Sequence, residues 1–238
     1  MLSVDDRPPW SVIQGGSREY VKKLTASFRH RIRTGSPVER IRRNRSFVSV
    51  TVRNQPPEKF DSVCIATHSD QALRLLGDAT DTEKDVLGPM TYQKNEAVLH
   101  TDQRILPKQS RAWAAWNYHI PARRQNRVAV TYNLNILQNI QAPVQFCVTL
   151  NNSDRIAPDT VIKRMTYFHP VFTPQSVRAQ ERQAEINGVN RTFFCGAYWR
   201  YGFHEDGVVS ALNALDHFRS THTHAQLSLQ RTGTTSAV

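Results

Sequence analysis

Thr192–Phe218 reads TFFCGAYWRYGFHEDGVVSALNALDHF, and the folding of this stretch decides how the rest of the chain is read. The apolar run Thr192–Cys195 is a short buried strand that stops at Gly196. An aromatic turn follows, Ala197-Tyr198-Trp199-Arg200-Tyr201-Gly202. Phe203–Gly207 then leads into a helix, because Val208, Ala211, Leu212, Leu215 and Phe218 are apolar at helical spacing. Glu205 and Asp206 stand in the first turn, where acidic side chains complement the positive end of the helix dipole. A strand ending in glycine, then a glycine-bounded turn aimed at a helix N-terminus, lets backbone approach a ligand closely. The free N–H groups at such an end favour a partly anionic one. From the residues alone, the same pattern also describes an ordinary strand–turn–helix packing unit.

The chain around this stretch has 238 residues, enough for one large domain or two small ones. Its hydrophobic content of 39% is low for a compact protein and leaves room for exposed or partner-facing segments. No apolar run reaches the roughly 18–20 residues of a membrane span. MLSVDDRPPW has acids and prolines where a signal peptide has a basic and then an apolar segment, so the expected location is cytoplasmic. Cys64, Cys147 and Cys195 sit singly in strand-like runs without a CxxC pair, which reads as free buried thiols rather than zinc ligands or disulfides. The formal charge is +11, concentrated in Arg29–Arg45 with a second cluster at Arg123, Arg124 and Arg127. Aromatic residues do not interleave with these arginines. The charge is therefore read as a solvated basic face, or one beside a dinucleotide diphosphate, and not as a nucleic-acid surface. His222 and His224 lack a third ligand nearby, so no metal site is expected.

Along the chain, Gly15-Gly16 is a turn ahead of a helix from Ser17, its cap, to Phe28. Residues 32–67 form a strand meander built from Pro37–Ile41, Phe47–Val52 and Phe60–Thr67. Ser69–Gly77 is a short helix capped by Ser69 or Asp70, and the acidic segment Asp78–Val86 is a surface loop or helix. Glu96–His100, Ala112–Asn117, Val128–Leu134 and Gln145–Leu150 are strands of an antiparallel sheet between proline-bearing loops. The polar segment 221–238 is expected to be a disordered tail.

GAYWRYGFHEDGVVSAL resembles the C-terminal flavin-binding motif of the flavin-containing amine oxidase superfamily. It is most similar to a bacterial branch of predicted NAD/FAD-binding proteins related to the flavin-binding segment of plant cyclopropane fatty acid synthases. Further matches are WSVIQGGSR at Trp10–Arg18, the PVxxI strand at Pro37–Ile41, AVLHTD at Ala97–Asp102, AWAAWN at Ala112–Asn117, VTLN at Val148–Asn151 and HPVF at His169–Phe172. The resemblance implies an α+β fragment of a two-domain FAD-dependent fold. Residues 1–68 and 186–220 would then belong to the FAD-binding domain and residues 69–185 to an inserted substrate domain. It further implies FAD contacts at Val38, Gly196, Ala197, Gly202, Phe203 and His204, the last through its main-chain N–H. Trp199, Tyr201 and Phe203 would line the substrate cavity. No catalytic side chain is assigned.

Members of the superfamily open with a strand, GxGxxG and a helix that hold the diphosphate. This sequence contains no GxGxxG. The expectation is a chain corresponding to the second half of a longer protein: a gene remnant, one subunit assembled with a separately encoded dinucleotide-binding half, or a truncated gene model. It would hold FAD weakly or not at all alone, and Val208, Leu212, Leu215 and the inner meander residues would be uncovered. The function so implied is an FAD-dependent oxidoreductase taking a hydride from a small or lipid-like substrate. The alternative is an inactive basic interaction module, or one subunit of a split flavoprotein.

Overall fold

The computed structural model describes residues 11–120 and 127–232, with side chains described as far as Thr221. Arg123, Arg124 and the first ten residues lie outside this range, as do the side chains of His222 and His224. The elements in chain order are α1 (Arg18–Thr25), β1 (Val38–Arg43), β2 (Val48–Val52), β3 (Glu58–Phe60), β4 (Val63–Ile65), α2 (Ser69–Leu75) and α3 (Asp81–Leu87). They continue with β5 (Tyr92–His100), β6 (Trp116–His119), β7 (Ala129–Asn133), α4 (Leu134–Gln138), β8 (Cys147–Leu150) and β9 (Val161–Pro170). The last are α5 (Pro174–Gln180), α6 (Gln183–Ile186), β10 (Thr192–Phe194) and α7 (His204–Thr232). The fold is α+β. No helix among the described residues is long and apolar enough to cross a membrane.

The chain divides into two compact units, residues 1–33 with 94–168 and residues 34–93 with 169–238. The five-stranded antiparallel sheet belongs to the first of these units. Val86, Leu87, Ala179 and Ile186, from α3, α5 and α6, pack with Ile41, Val48 and Phe194 in the core of the second unit. Burial of those side chains assigns their helices to it.

In the first unit the strands lie in the order β6-β7-β8-β5-β9. Thr131 and Thr149 are register partners on β7 and β8, which sets their hydroxyls side by side at 2.8 Å. His119 Nε2 lies 2.9 Å from Thr131 Oγ1, and His100 Nε2 lies 2.8 Å from Thr149 Oγ1. A chain of hydrogen bonds therefore crosses from β6 to β5 through the interior. The Asp102 backbone N–H donates to His100 Nδ1, so the neutral ring carries its proton on Nε2. Burial holds both imidazoles below their ordinary pKa. The buried apolar cluster here is small: Val98, Ile105 and Ile156.

Three local expectations change in this unit. The first helix ends at Thr25 and tightens into a 3-10 segment, Ala26–Arg31, and Ser17 makes no side-chain capping bond. Strand β6 starts at Trp116, after a 3-10 turn at Ser110–Ala112. The ten-residue β9 was not expected as a strand at all.

The second unit holds the antiparallel meander β1-β2-β3 and a separate two-stranded parallel sheet of β10 and β4. Thr192, Phe193 and Phe194 are in register with Val63, Cys64 and Ile65. The cap of α2 is His68, with the Gln71 side chain accepting from the His68 N–H, while the Ser69 hydroxyl donates to the Met90 carbonyl. At α3, Thr80 and Glu83 form a reciprocal capping box. Glu83 does more than cap. Its two oxygens each accept from an Arg43 guanidinium nitrogen at 2.8 Å, and both side chains are almost wholly buried. Arg43 Nε lies 2.8 Å from Asp78 Oδ1 as well. One arginine of the basic run thus belongs to the interior, not to a solvated face.

Helix α7 buries Asp206, Ser210 and Ala214. The apolar residues that identified it in sequence face outward, with Val208 53%, Leu212 54% and Leu215 38% exposed. The meander residues Ile41, Val48 and Val52 are buried, contrary to the expectation that they would be uncovered. The helical backbone continues to Thr232, twelve residues into the segment expected to be disordered. No glycine or proline occurs between Gly207 and Gly233 to stop it.

Candidate functional site

Strand β10 delivers the chain to Gly196, whose φ of +156° with ψ of 159° lies in a region essentially reserved for glycine. A Cβ there would stand 2.5 Å from Tyr198 Cε1. The Gly196 N–H donates to Ser210 Oγ at 2.8 Å, which in turn donates to the Gly207 carbonyl. Glycine is therefore required at this position by the chain's own aromatic ring, and its N–H is taken up by α7. Ala197 opens a 3-10 turn, Ala197–Trp199.

Tyr198 and Trp199 are 4% and 7% exposed and belong to the apolar core with Ile41, Val48 and Phe194. Their ring centroids are 5.1 Å apart, and neither Tyr198 Oη nor Trp199 Nε1 makes a hydrogen bond of ordinary geometry. Burial pushes the Tyr198 phenol far up. Trp199, read as a cavity residue, is packed in the core. The Gln180 amide donates to the carbonyls of Tyr198 and Arg200 and holds the turn in place.

Beyond Arg200 the turn opens outward. Tyr201 is 63% and Phe203 46% exposed. Gly202 has φ +92° with nothing within 4 Å of a Cβ, so the requirement for glycine there is conformational and not steric. The Phe203 N–H donates to Asp206 Oδ2 at 2.9 Å, which fixes the entry into α7. Tyr201, Gly202, Phe203 and His204 are thus gathered at the positive end of a 29-residue helix. Val38 stands on β1 in the three-stranded sheet of the same unit, beside a register irregularity.

One pair escaped the sequence reading. Cys64 on β4 and Cys195 after β10 are 131 residues apart in sequence, yet their Sγ atoms lie 3.6 Å apart. Cys64 is exposed and Cys195 buried, so Cys64 is not the buried thiol expected. Parallel pairing of TFF with VCI, which the sequence alone does not announce, is what brings the cysteines together. Among the described residues no group of three or more His, Cys, Asp and Glu is placed to hold a metal.

The family model described as flavin containing amine oxidoreductase matches residues 6–105. No curated protein matches the sequence. Among solved structures, the fold is similar to a conjugated-linoleic-acid-producing fatty acid isomerase from P. acnes, with TM-score 0.61 and 15% identity over 86% of this chain and 52% of that one. A putrescine oxidase bound to putrescine gives TM-score 0.56 and 11% identity over 87% and 53% of the two chains. A reduced UDP-galactopyranose mutase gives 0.56 and 14% over 79% and 48%. The chain spans about half the length of these structures. Its fold is amine oxidase-like, and the resemblance read from the sequence stands at the level of family model and architecture.

Proposed function

We propose that this chain supplies part of the binding site of an FAD-dependent oxidoreductase, with the flavin's pyrimidine edge at the N-terminal end of α7. The observation that carries the reading is the open Gly202-Phe203-His204 turn in front of that helix, within an amine oxidase-like fold. The residues fit the group in part. The helix end and the unobstructed Gly202 suit an electron-rich ring edge, whereas the Gly196 N–H is already bound to Ser210 and offers nothing to a diphosphate.

A bound flavin would supply the hydride acceptor for a small or lipid-like substrate, a chemistry that requires few protein side chains. This chain's part would be to place the helix dipole at the ring edge, where negative charge would develop, with the Phe203 N–H already held by Asp206. Tyr201 and Phe203 flank the space in front of the turn. The fold alone does not choose the reaction, since the similar structures include an oxidase, an isomerase and a mutase.

The test is titration of the full chain with FAD, followed by flavin fluorescence and absorbance. Weak binding is expected, lost in Gly202→Val and kept in His204→Ala, because the histidine acts through its backbone. Equal binding by Gly202→Val, or none by the parent chain, would overturn the assignment. Folding is checked by circular dichroism.

A second reading, that the chain is one subunit of a split flavoprotein, is favoured by the outward apolar stripe Val208-Leu212-Leu215. The two-stranded parallel sheet of three-residue strands supports it too, since parallel strands are ordinarily buried within larger sheets. The partner would be a separately encoded dinucleotide-binding half.

A further inference from the structure

Phe193 is the register partner of Cys64, and Cys195 lies two residues beyond Phe193. On paired strands that spacing places both sulfurs on one face of the sheet. The Sγ atoms are in van der Waals contact at 3.6 Å, and neither is bonded to the other or to a third cysteine. Formation of a disulfide requires them to close by roughly 1.5 Å, which is within the sweep of a side-chain rotation about Cα–Cβ. The two thiols differ in access: Cys64 is exposed, whereas Cys195 is 7% exposed and packs with Phe193 and with Ala214 of α7.

We propose that Cys64 and Cys195 form a redox-reactive dithiol, with Cys64 the attacking thiol and Cys195 the resolving one, oxidised by a low-molecular-weight disulfide. An exposed sulfur beside a shielded second one is the arrangement of a thiol sensor. The shared hydrogen bond points the same way, since the Cys195 thiol stabilises the Cys64 thiolate and holds that thiol down at about 7. A thiol of that acidity is near the optimum for exchange at neutral pH.

The Cys64 thiolate attacks one sulfur of the disulfide, whose S–S bond breaks, and the first small thiolate leaves and takes up the proton Cys64 gave up. Cys195 then loses its proton and attacks Cys64 Sγ. The mixed disulfide breaks, and the second small thiol leaves with that proton. The two protein thiols are oxidised, and the small disulfide is reduced to two thiols. The new bond ties β10 to β4 one residue ahead of Gly196, at the entrance to the turn described above.

The experiment treats the full chain with excess oxidised glutathione near neutral pH and follows intact mass and tryptic peptides. The expected product has lost two hydrogens, retains no glutathione, and yields a Cys64–Cys195 linked peptide. Cys195→Ser should stop at glutathione on Cys64, and Cys64→Ser should react far more slowly. Cys147, buried and pushed up to about 11, should remain a thiol throughout. Where a serine variant fails to fold, the pH dependence of Cys64 alkylation in the parent chain decides: a midpoint near that of an ordinary thiol overturns the proposal. Glutathione retained on Cys64 of the parent chain overturns the resolving role, and equal reaction of Cys147 overturns the selectivity.

Discussion

The two units solve the problem of buried polar groups in opposite ways. Residues 94–168 form an antiparallel sheet from one continuous segment, and a line of neutral donors and acceptors, His119, Thr131, Thr149 and His100, runs through it. The unit of residues 34–93 and 169–238 is assembled from two separated segments around an apolar core. Its chief buried polar feature is a charged pair, Arg43 and Glu83, bonded at 2.8 Å through both oxygens. A neutral chain spreads the cost of burial over several weak bonds. A buried ion pair concentrates it in one place, where either partner alone is worse than neither.

The largest expected effect follows from that contrast. Glu83→Gln leaves the Arg43 charge buried with only the half-exposed Asp78 beside it, and should cost about 3–5 kcal/mol in urea unfolding. The double change Arg43→Met with Glu83→Met should recover more than half of that loss. If the double variant is as unstable as the single one, the pair is not the source of the difference. In the other unit, Thr149→Val keeps the shape but strands the His100 Nε2–H, while the Thr131 hydroxyl keeps His119 as its partner. Its expected cost is smaller, about 1–3 kcal/mol by the same measurement.

The pH response tests the hydrogen-bond chain of the first unit directly, although burial lowers the pKa of His169 in the second unit as well. Burial holds His100 and His119 below their unfolded value, so the unfolded chain binds more protons in that window. The stability they contribute is fully present above about pH 6.5 and falls as the pH drops from there toward the folded pKa values. Asp102 faces His100 and opposes the shift, while Arg155 adds to it at His119. Thermal midpoints between pH 7.5 and 5.5 should therefore decline, and His119→Gln should flatten the curve. An unchanged slope would show that the hydrogen-bond chain is indifferent to protonation. The smallest effect on stability belongs to the outward stripe: Leu212→Ser should alter unfolding by less than about 0.5 kcal/mol. Its readout is association, since light scattering should show less self-association than the parent chain if the stripe seeks a partner.

What could be read in sequence follows the same division. The meander was legible because VSVTV alternates and closes against neighbours a few residues away. Strand β9, VIKRMTYFHP, was not, because it lies at the sheet edge with both faces largely exposed and so carries no period of two. The helix α7 was found from its apolar stripe, yet that stripe turned out to face solvent while Asp206, Ser210 and Ala214 are buried. Periodicity identifies a helix without saying which partner its apolar face has. At the candidate site, Gly202 was legible as the boundary of a turn aimed at the helix. The role of Gly196 was not, because it depends on where the Tyr198 ring folds. The cysteine pair joins two strands 131 residues apart, which no local spacing reveals. The family model, too, matches residues 6–105 and not the stretch from Thr192 that organised the sequence reading.

Glu83 is at once the third residue of a helix cap and the counter-ion of a strand 40 residues earlier in the chain. The first turn of α3 therefore cannot loosen without freeing Arg43, and β1 cannot peel away without uncapping α3. Amide protons in these two elements should exchange with solvent at a common rate, as one opening unit. A helix of seven residues, too short to persist alone, thereby inherits the lifetime of a strand in another part of the fold.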